Sequence, residues 1–353
     1  EITMMKPLFV MLAVLPFLSA CNQPESPNAE LFPAAGAENV NPDTHLVLTF
    51  TDSPIVGDSG MIRIYDAMSH QIVDSLDLSI PSGPTESRTY GPECDYTKIP
   101  YDYTRTHMPT NRDTRPGTPS GTAEPTPPDY QLNIIGGFTD AFHFHPIIVR
   151  DSTATIYLHN YNHSYYVTID EGVLTLPDHS FHGISKEHNW SFKTKDSAPA
   201  STDTLIVDAN GQGDFNTVQG ALDFIPDFSQ KQTVILIQAG DYEELVYARN
   251  KTNVKIKGAG MDRTRVHYAN NEVFNPHPLT VKTNEWPGTF PSRRAAFMLD
   301  NCSDILLEDL TIATDLHGQA EGLLLNGERI ALYSVHIIGS GDALQANGTI
   351  YME

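Results

Sequence analysis

Two stretches of the chain repeat each other at a fixed offset, and that constrains the fold more than any other feature. "NCSDILLEDLTI" (301–312) aligns with "NGERIALYSVHI" (326–337): Asn301 matches Asn326, Ile305 matches Ile330, Leu307 matches Leu332, Leu310 meets Val335 and Ile312 matches Ile337, an offset of 326 − 301 = 25 residues. A strand-turn-strand unit of this length has one inward apolar face that it cannot bury alone, whereas stacked coils bury it against one another. A sandwich of evenly spaced strands imposes no fixed repeat, so the offset favours a right-handed parallel β-helix. Strand-like runs such as "DTLIVDA", "TVILIQAG" and "NVKIKGAG" lead into the repeat. Between the first two, Phe215, Val218, Ala221, Leu222 and Ile225 are spaced for a helix over 215–225 that caps the coil.

A chain of 353 residues exceeds one ordinary domain. Residues 204–353 are assigned to the coil and "SAPASTD" (197–203) to a linker. Residues 41–196 hold alternating runs ("THLVLTFTD", "GMIRIYDA", "HQIVDSLDL", later "HPIIVRD" and "SYYVTID"), which predict a β-sandwich. Within it, about 82–129 is too rich in Pro, Thr and Gly to pack by itself and reads as an insertion. Histidines in "FHFH" (142–145) are assigned to decorating a strand.

The first twenty residues explain the compartment. Lys6 and then "PLFVMLAVLPFL" read as a signal peptide, too short to span a bilayer. Leu18, Ser19, Ala20 and Cys21 resemble the lipobox of bacterial lipoproteins, which implies cleavage before Cys21 and its lipidation. Residues 1–20 are thus a signal peptide and 21–40 a polar tether, and the expected location is a bacterial cell envelope, lipid-anchored. Cys94 and Cys302 fall in different domains, so their count alone implies no disulfide between them. Twenty-two basic against forty-four acidic residues, a net charge of −22, argue against nucleic acid as partner. No Cys/His cluster has zinc spacing, so no metal is expected.

Five strings fall in an order that resembles pectin methylesterases: "GQGDFNTVQGALDFIP" (211–226), "AGDYEELV" (239–246), "IKGAGMDRTRV" (256–266), "GQAEGLLL" (318–325) and "GSGDALQ" (339–345). The resemblance covers about 205–353. It implies a β-helical esterase that demethylates pectin without a cofactor. "NPDTHLVLTFTD", "YYVTIDEGV" and "GISKEHNWSFKTK" resemble bacterial Ig-like domains, which implies a spacer or carbohydrate contact. The expected partners are pectin and, through the Cys21 lipid, a membrane, with the protein a monomer.

By the same resemblance Gln319 matches an oxyanion-stabilising glutamine and Asp342 the aspartate that protonates methanol and then activates water. They are 342 − 319 = 23 residues apart, about one coil, which allows them to lie side by side. To donate, Asp342 needs burial or a neighbouring carboxylate. The family's second glutamine is replaced by Gly341. Gln345 is a candidate substitute, although residues three apart on a strand face opposite sides. Trp286, in "NEWPGTF", is open to sugar stacking or to burial, while Tyr268 is assigned to packing. Glu243 and Glu244 are read as solvated turn residues and Asp223 as facing water. The resemblance places the nucleophilic aspartate and a substrate-binding arginine beyond Glu353, so the 353 residues read as a fragment expected to be inactive by itself. Two rivals remain. A pectate lyase needs clustered carboxylates for calcium and a basic proton abstractor; a non-catalytic pectin-binding lipoprotein needs neither.

Overall fold

The computed structural model describes residues 28–80, 82, 132–133, 142–157, 164–272, 274–275 and 293–353. The signal peptide, Cys21, nearly all of the 82–129 insertion, Cys94, Trp286 and Phe290 lie outside the described residues. Among the described residues no helix is long and apolar enough to cross a membrane.

The N-terminal unit comprises β1 (Glu30–Phe32), β2 (Ala37–Val40), β3 (Leu46–Thr49), β4 (Ile55–Val56), β5 (Met61–Asp66), β6 (Ile72–Asp77), β7 (Leu132–Asn133), β8 (Phe142–His143), β9 (Ile147–Arg150), β10 (Thr153–Ile156), β11 (Ser164–Ile169), β12 (Leu174–Thr175) and β13 (Ser191–Thr194). Two sheets, β1-β3-β10-β9 and β2-β13-β11-β5-β6, share one core. The alternation in β3, β5 and β11 sends every second side chain inward, so Leu46, Leu48, Ile62, Ile64, Tyr165 and Val167 are buried.

The tether assigned to 21–40 is corrected here. β1 and β2 belong to the two sheets, because Leu31, Ala37 and Val40 pack on the shared core and the Trp190 indole N–H donates to the Pro33 carbonyl at 2.8 Å. The polar run before them masked a short apolar pattern.

The second unit comprises β14 (Thr204–Val207), α1 (Val218–Phe224), β15 (Thr233–Ile237), β16 (Gly240–Glu243), β17 (Val246–Arg249), β18 (Thr252–Lys257), β19 (Thr264–Tyr268), β20 (Phe297–Thr314), β21 (Leu323–Ile338) and β22 (Leu344–Met352). Every pairing among these strands is parallel. They stack as the three faces of a β-helix. The first face runs β14, β15, β18, the middles of β20 and β21 and the end of β22; the second β16, β19 and the ends of β20 and β21; the third β17 and the starts of β20, β21 and β22. Like residues stack in columns: Leu205, Ile235, Ile256, Leu307 and Leu332 pair in succession and are all buried. Such a column is how a repeat buries what a single coil cannot.

The corners are made by left-handed backbone. Asn253, Asp304 and Arg329 occupy equivalent positions at φ of 57°, 56° and 54°, and Asp309 and Ser334 do so at 57° and 52°. Asn and Asp tolerate this conformation better than other residues with a Cβ. The 25-residue offset is the true register from Ile305↔Ile330 to Ile312↔Ile337. It fails at Asn301, because Asn326 pairs with Asp300 and Asn301 forms a bulge at φ 51°. The displacement builds a buried polar ladder: Arg249 Nε donates to Asp300 (2.7 Å), Asn326 Nδ2 to Asp300 (3.3 Å) and Asn347 Nδ2 to Asn326 (2.7 Å).

α1 is shorter than the predicted 215–225 segment, although all five spaced residues are buried. Thr217 caps it by accepting from Gly220 N, and the helix packs on β14 and β17. Asp43 of the sandwich crosses to the same turn and accepts from Asn216 N, Thr217 N (2.8 Å) and the Thr217 hydroxyl (2.8 Å). Gly220 leaves the room that this carboxylate occupies.

Two acidic assignments are corrected at this helix. Glu244 is buried and accepts from Val218 N (2.8 Å) and Gln219 N (2.9 Å); burial pushes its carboxyl up to about 8. Asp223 is half-buried, bonded to Gln219 Nε2 at 2.8 Å, and burial raises it to about 7. Glu243 is no free turn residue either, since Arg150 of the sandwich grips both its oxygens.

Candidate active site

Each coil leaves the second face and returns to the third, and the candidate site is built where these passages meet: from 269–272 and 293–296, the described ends of one of them, and from 315–322 and 339–343. Backbone hydrogen bonds lock them together. Glu272 N donates to Gln319 O (2.8 Å), Ala320 N to Ser340 O (3.0 Å), Ser340 N to Ala320 O (2.9 Å) and Ala296 N to Glu321 O (3.0 Å). Residues one coil apart therefore share one corner.

Gln319 and Asp342 meet there through Arg294. Arg294 Nη1 donates to Gln319 Oε1 at 3.3 Å, and Nη2 lies 3.9 Å from Asp342 Oδ2. The guanidinium is anchored from below by buried Glu321, with Nε 2.6 Å and Nη2 2.6 Å from Oε1, and Glu272 stands 3.8 Å away. Burial disfavours the Arg294 charge, but Glu321, Glu272 and Asp342 outweigh it and raise its pKa. Burial raises the Glu321 carboxyl, opposed by the guanidinium. Sequence reasoning missed Arg294, Glu321 and Glu272. The signal for Glu321 lay inside "GQAEGLLL", where an acid directly precedes a buried apolar strand.

The other assigned positions are less central. Gln345 pairs with Leu324 and continues the column of Tyr247, Met298 and Leu324 on the third face, past the corner rather than in it. Tyr268 is buried, as assigned, and its hydroxyl accepts from His145 N at 2.8 Å. Gly341 has a φ of +82°, and a Cβ there would stand 2.8 Å from the Gly318 carbonyl oxygen. The missing glutamine is therefore excluded by the backbone as much as by the sequence. The Asp342 side chain is 60% exposed, so the burial that a proton-donating carboxylate requires is not supplied by the described residues.

Chemically the corner offers an amide and a guanidinium as donors beside a solvent-open carboxylate. Donors so placed suit a developing oxyanion or a substrate carboxylate. A separate polar cluster lies on the second face. Glu243, His267 and Asp315 present ligand atoms within 4.8 Å of one another. They are committed to ion pairs: His267 bonds Asp315 (2.5 Å) and Asp241 (3.1 Å), Arg150 holds Glu243 and Asp315, and Arg265 holds Asp315. Burial pushes the imidazole down, but the bonds to Asp241 and Asp315 outweigh it and hold it at about 9. A cation there would have to displace two arginines and an imidazolium.

The coil is similar to known proteins. Residues 204–350 match the family model described as Pectinesterase. The chain is 29% identical over 154 residues to probable pectinesterase 8 of Arabidopsis thaliana, covering 42% of this chain and 38% of that protein. It is 39% identical over 70 residues to a pectinesterase/pectinesterase inhibitor of Ficus pumila var. awkeotsang, covering 20% of this chain and 13% of that one. A solved pectin methylesterase from carrot gives a TM-score of 0.33 at 24% identity, over 42% of this chain and 43% of that one. The chain thus spans less than half the length of these relatives. The stretch similar to the pectinesterase family, residues 204–350, is thus the parallel coil of this chain.

Proposed function

We propose that the complete protein hydrolyses methyl esters of pectin, giving pectate and methanol. The observation that carries this reading is the convergence of Gln319 and Asp342, from successive coils, on Arg294. In it the Gln319 amide stabilises the oxyanion, and Asp342 gives a proton to the leaving methoxide and then takes one from the hydrolytic water. The nucleophile that forms the acyl-enzyme is, by the resemblance, a second aspartate, assigned to none of the described residues. Arg294 donates to the Gln319 carbonyl oxygen and so fixes the orientation of the amide at the corner. The family match of 204–350 supports the reaction class. The reading extends to a monomeric bacterial envelope lipoprotein anchored through Cys21, with the sandwich as an Ig-like unit; the "LSAC" lipobox and the sandwich topology support it.

Methanol release from methylated pectin by the full-length natural protein tests the reaction. Asp342→Asn is expected to lower kcat by about 10²-fold or more. A wild type that releases no methanol, or a variant equal to it, ends the reading. One observation favours a second reading: the exposed Asp342 beside Gly341 also suits a pectin-binding surface without turnover. Retention of pectin fragments with no methanol released would select it. An ultraviolet-absorbing unsaturated product would point to a lyase instead.

A further inference from the structure

We propose that the N-terminal sandwich is part of the supporting frame of this site, with Phe142 and His145 as positioning residues that hold both ends of the connection bearing Glu272 and Arg294. The proposal rests on reading that corner as the catalytic one. The four-residue run 142–145 leaves the sandwich side of the chain and touches the coil at two places.

At the departing end of the connection, the His145 ring stacks parallel on Phe274, with centroids 4.1 Å apart and planes 3° apart. Its Nε2 lies 3.1 Å from the Ala269 carbonyl, and its backbone N–H donates to the Tyr268 hydroxyl. Ile148 adds apolar contact to Tyr268, Phe274 and Ala296. At the returning end Phe142 is buried, edge-on to Tyr247 at 4.4 Å, with the Arg293 guanidinium carbon 5.2 Å over its face.

The two ends are also tied to each other. Asn270 Nδ2 donates to the carbonyls of Arg293 (2.9 Å) and Ala295 (2.7 Å), and the Tyr247 hydroxyl donates to the same two (2.7 and 2.9 Å). Phe274 is two residues beyond Glu272, and Arg293 directly precedes Arg294. A clamp on Phe274 and Arg293 therefore fixes the backbone from which Glu272 and Arg294 reach the corner. The Arg294 contacts of 3.3 and 3.9 Å leave little slack, and a shift of about 1 Å is enough to break them.

The test uses the full-length protein with Phe142→Ala, Phe142→Leu and His145→Ala, and with Leu46→Ala as a control that weakens the sandwich core away from the corner. Backbone hydrogen exchange is read in 269–275 and 293–296 against 233–237, and methanol release is split into kcat and KM. Phe142→Ala and His145→Ala are expected to speed exchange in the two flanking segments about tenfold and to lower kcat/KM about tenfold, with Phe142→Leu recovering most of both. Leu46→Ala should leave those segments unchanged. Unaltered exchange in the clamp variants, or equal acceleration by Leu46→Ala, overturns the proposal. The exchange arm needs no turnover, so a wild type without methanol release sinks the esterase reading while this arm still decides the clamp.

Discussion

Arg294 and Glu321 come from consecutive connections, 27 residues apart, and close an ion pair whose acid is fully buried while the guanidinium edge faces the solvent side of the corner. The pair is the floor on which Gln319 and Asp342 rest.

Glu321→Ala should therefore cost more than a surface charge would. It leaves a half-buried guanidinium without its anchor, a loss of about 3–5 kcal/mol by the usual penalty for breaking a buried pair. Urea denaturation of the variant checks this; a change under about 1 kcal/mol would mean that the corner tolerates the loss.

Gly341→Gln restores the glutamine of the pectin methylesterase pattern, yet it should not restore an amide to the site. The residue would take a φ of +82° with its Cβ 2.8 Å from the Gly318 oxygen. A loss of about 1–3 kcal/mol in stability, with methanol release no higher than in the parent, is the expected outcome. A more active and equally stable variant would show that the backbone can relax.

Around α1 the pH dependence has a definite sign. Glu244 rises from 4.5 to about 8 and Asp223 from 3.8 to about 7, mainly by burial. A carboxyl raised in the folded state contributes stability that is present below its unfolded value and lost as pH climbs to the folded one. Thermal unfolding should accordingly show stability falling by roughly 2 kcal/mol or more between pH 5 and 8. Glu244→Gln should flatten the fall, at the cost of one of its two helix hydrogen bonds.

His267 adds to the same slope from the opposite chemistry. Held at about 9 by Asp241 and Asp315 against an ordinary 6.5, it supplies stability that is complete below 6.5 and lost as pH rises toward 9. Imidazole titration by NMR should show the ring still protonated at pH 8. His267→Asn should remove this part of the pH slope and leave the part due to Glu244.

Columns of like residues were readable from sequence because a coil repeats its inward face, and Ile305 over Ile330 or Leu307 over Leu332 follows directly from the offset. Gln319 and Asp342 were reachable through the resemblance of "GQAEGLLL" and "GSGDALQ" to pectin methylesterases, with which their spacing of about one coil agrees. Arg294 was not, since its role depends on a connection of unrelated length returning to the corner. Glu244 looked like a turn acid because the helix whose N–H groups it accepts is formed 25 or 26 residues earlier. The strands at 30–40 were hidden by a polar neighbourhood, and their partners, at 47–49 and 192–194, are distant in the chain.

The run from Arg249 through Asp300 and Asn326 to Asn347 has a further effect on the coil. Hydrophobic columns alone would let one turn slide over the next by two residues at little cost. A carboxylate that must find its amide cannot slide, because any slip would leave it facing hydrocarbon. The stack is keyed to a single phase, and the accuracy with which separate turns deliver their side chains to one corner is inherited from that key.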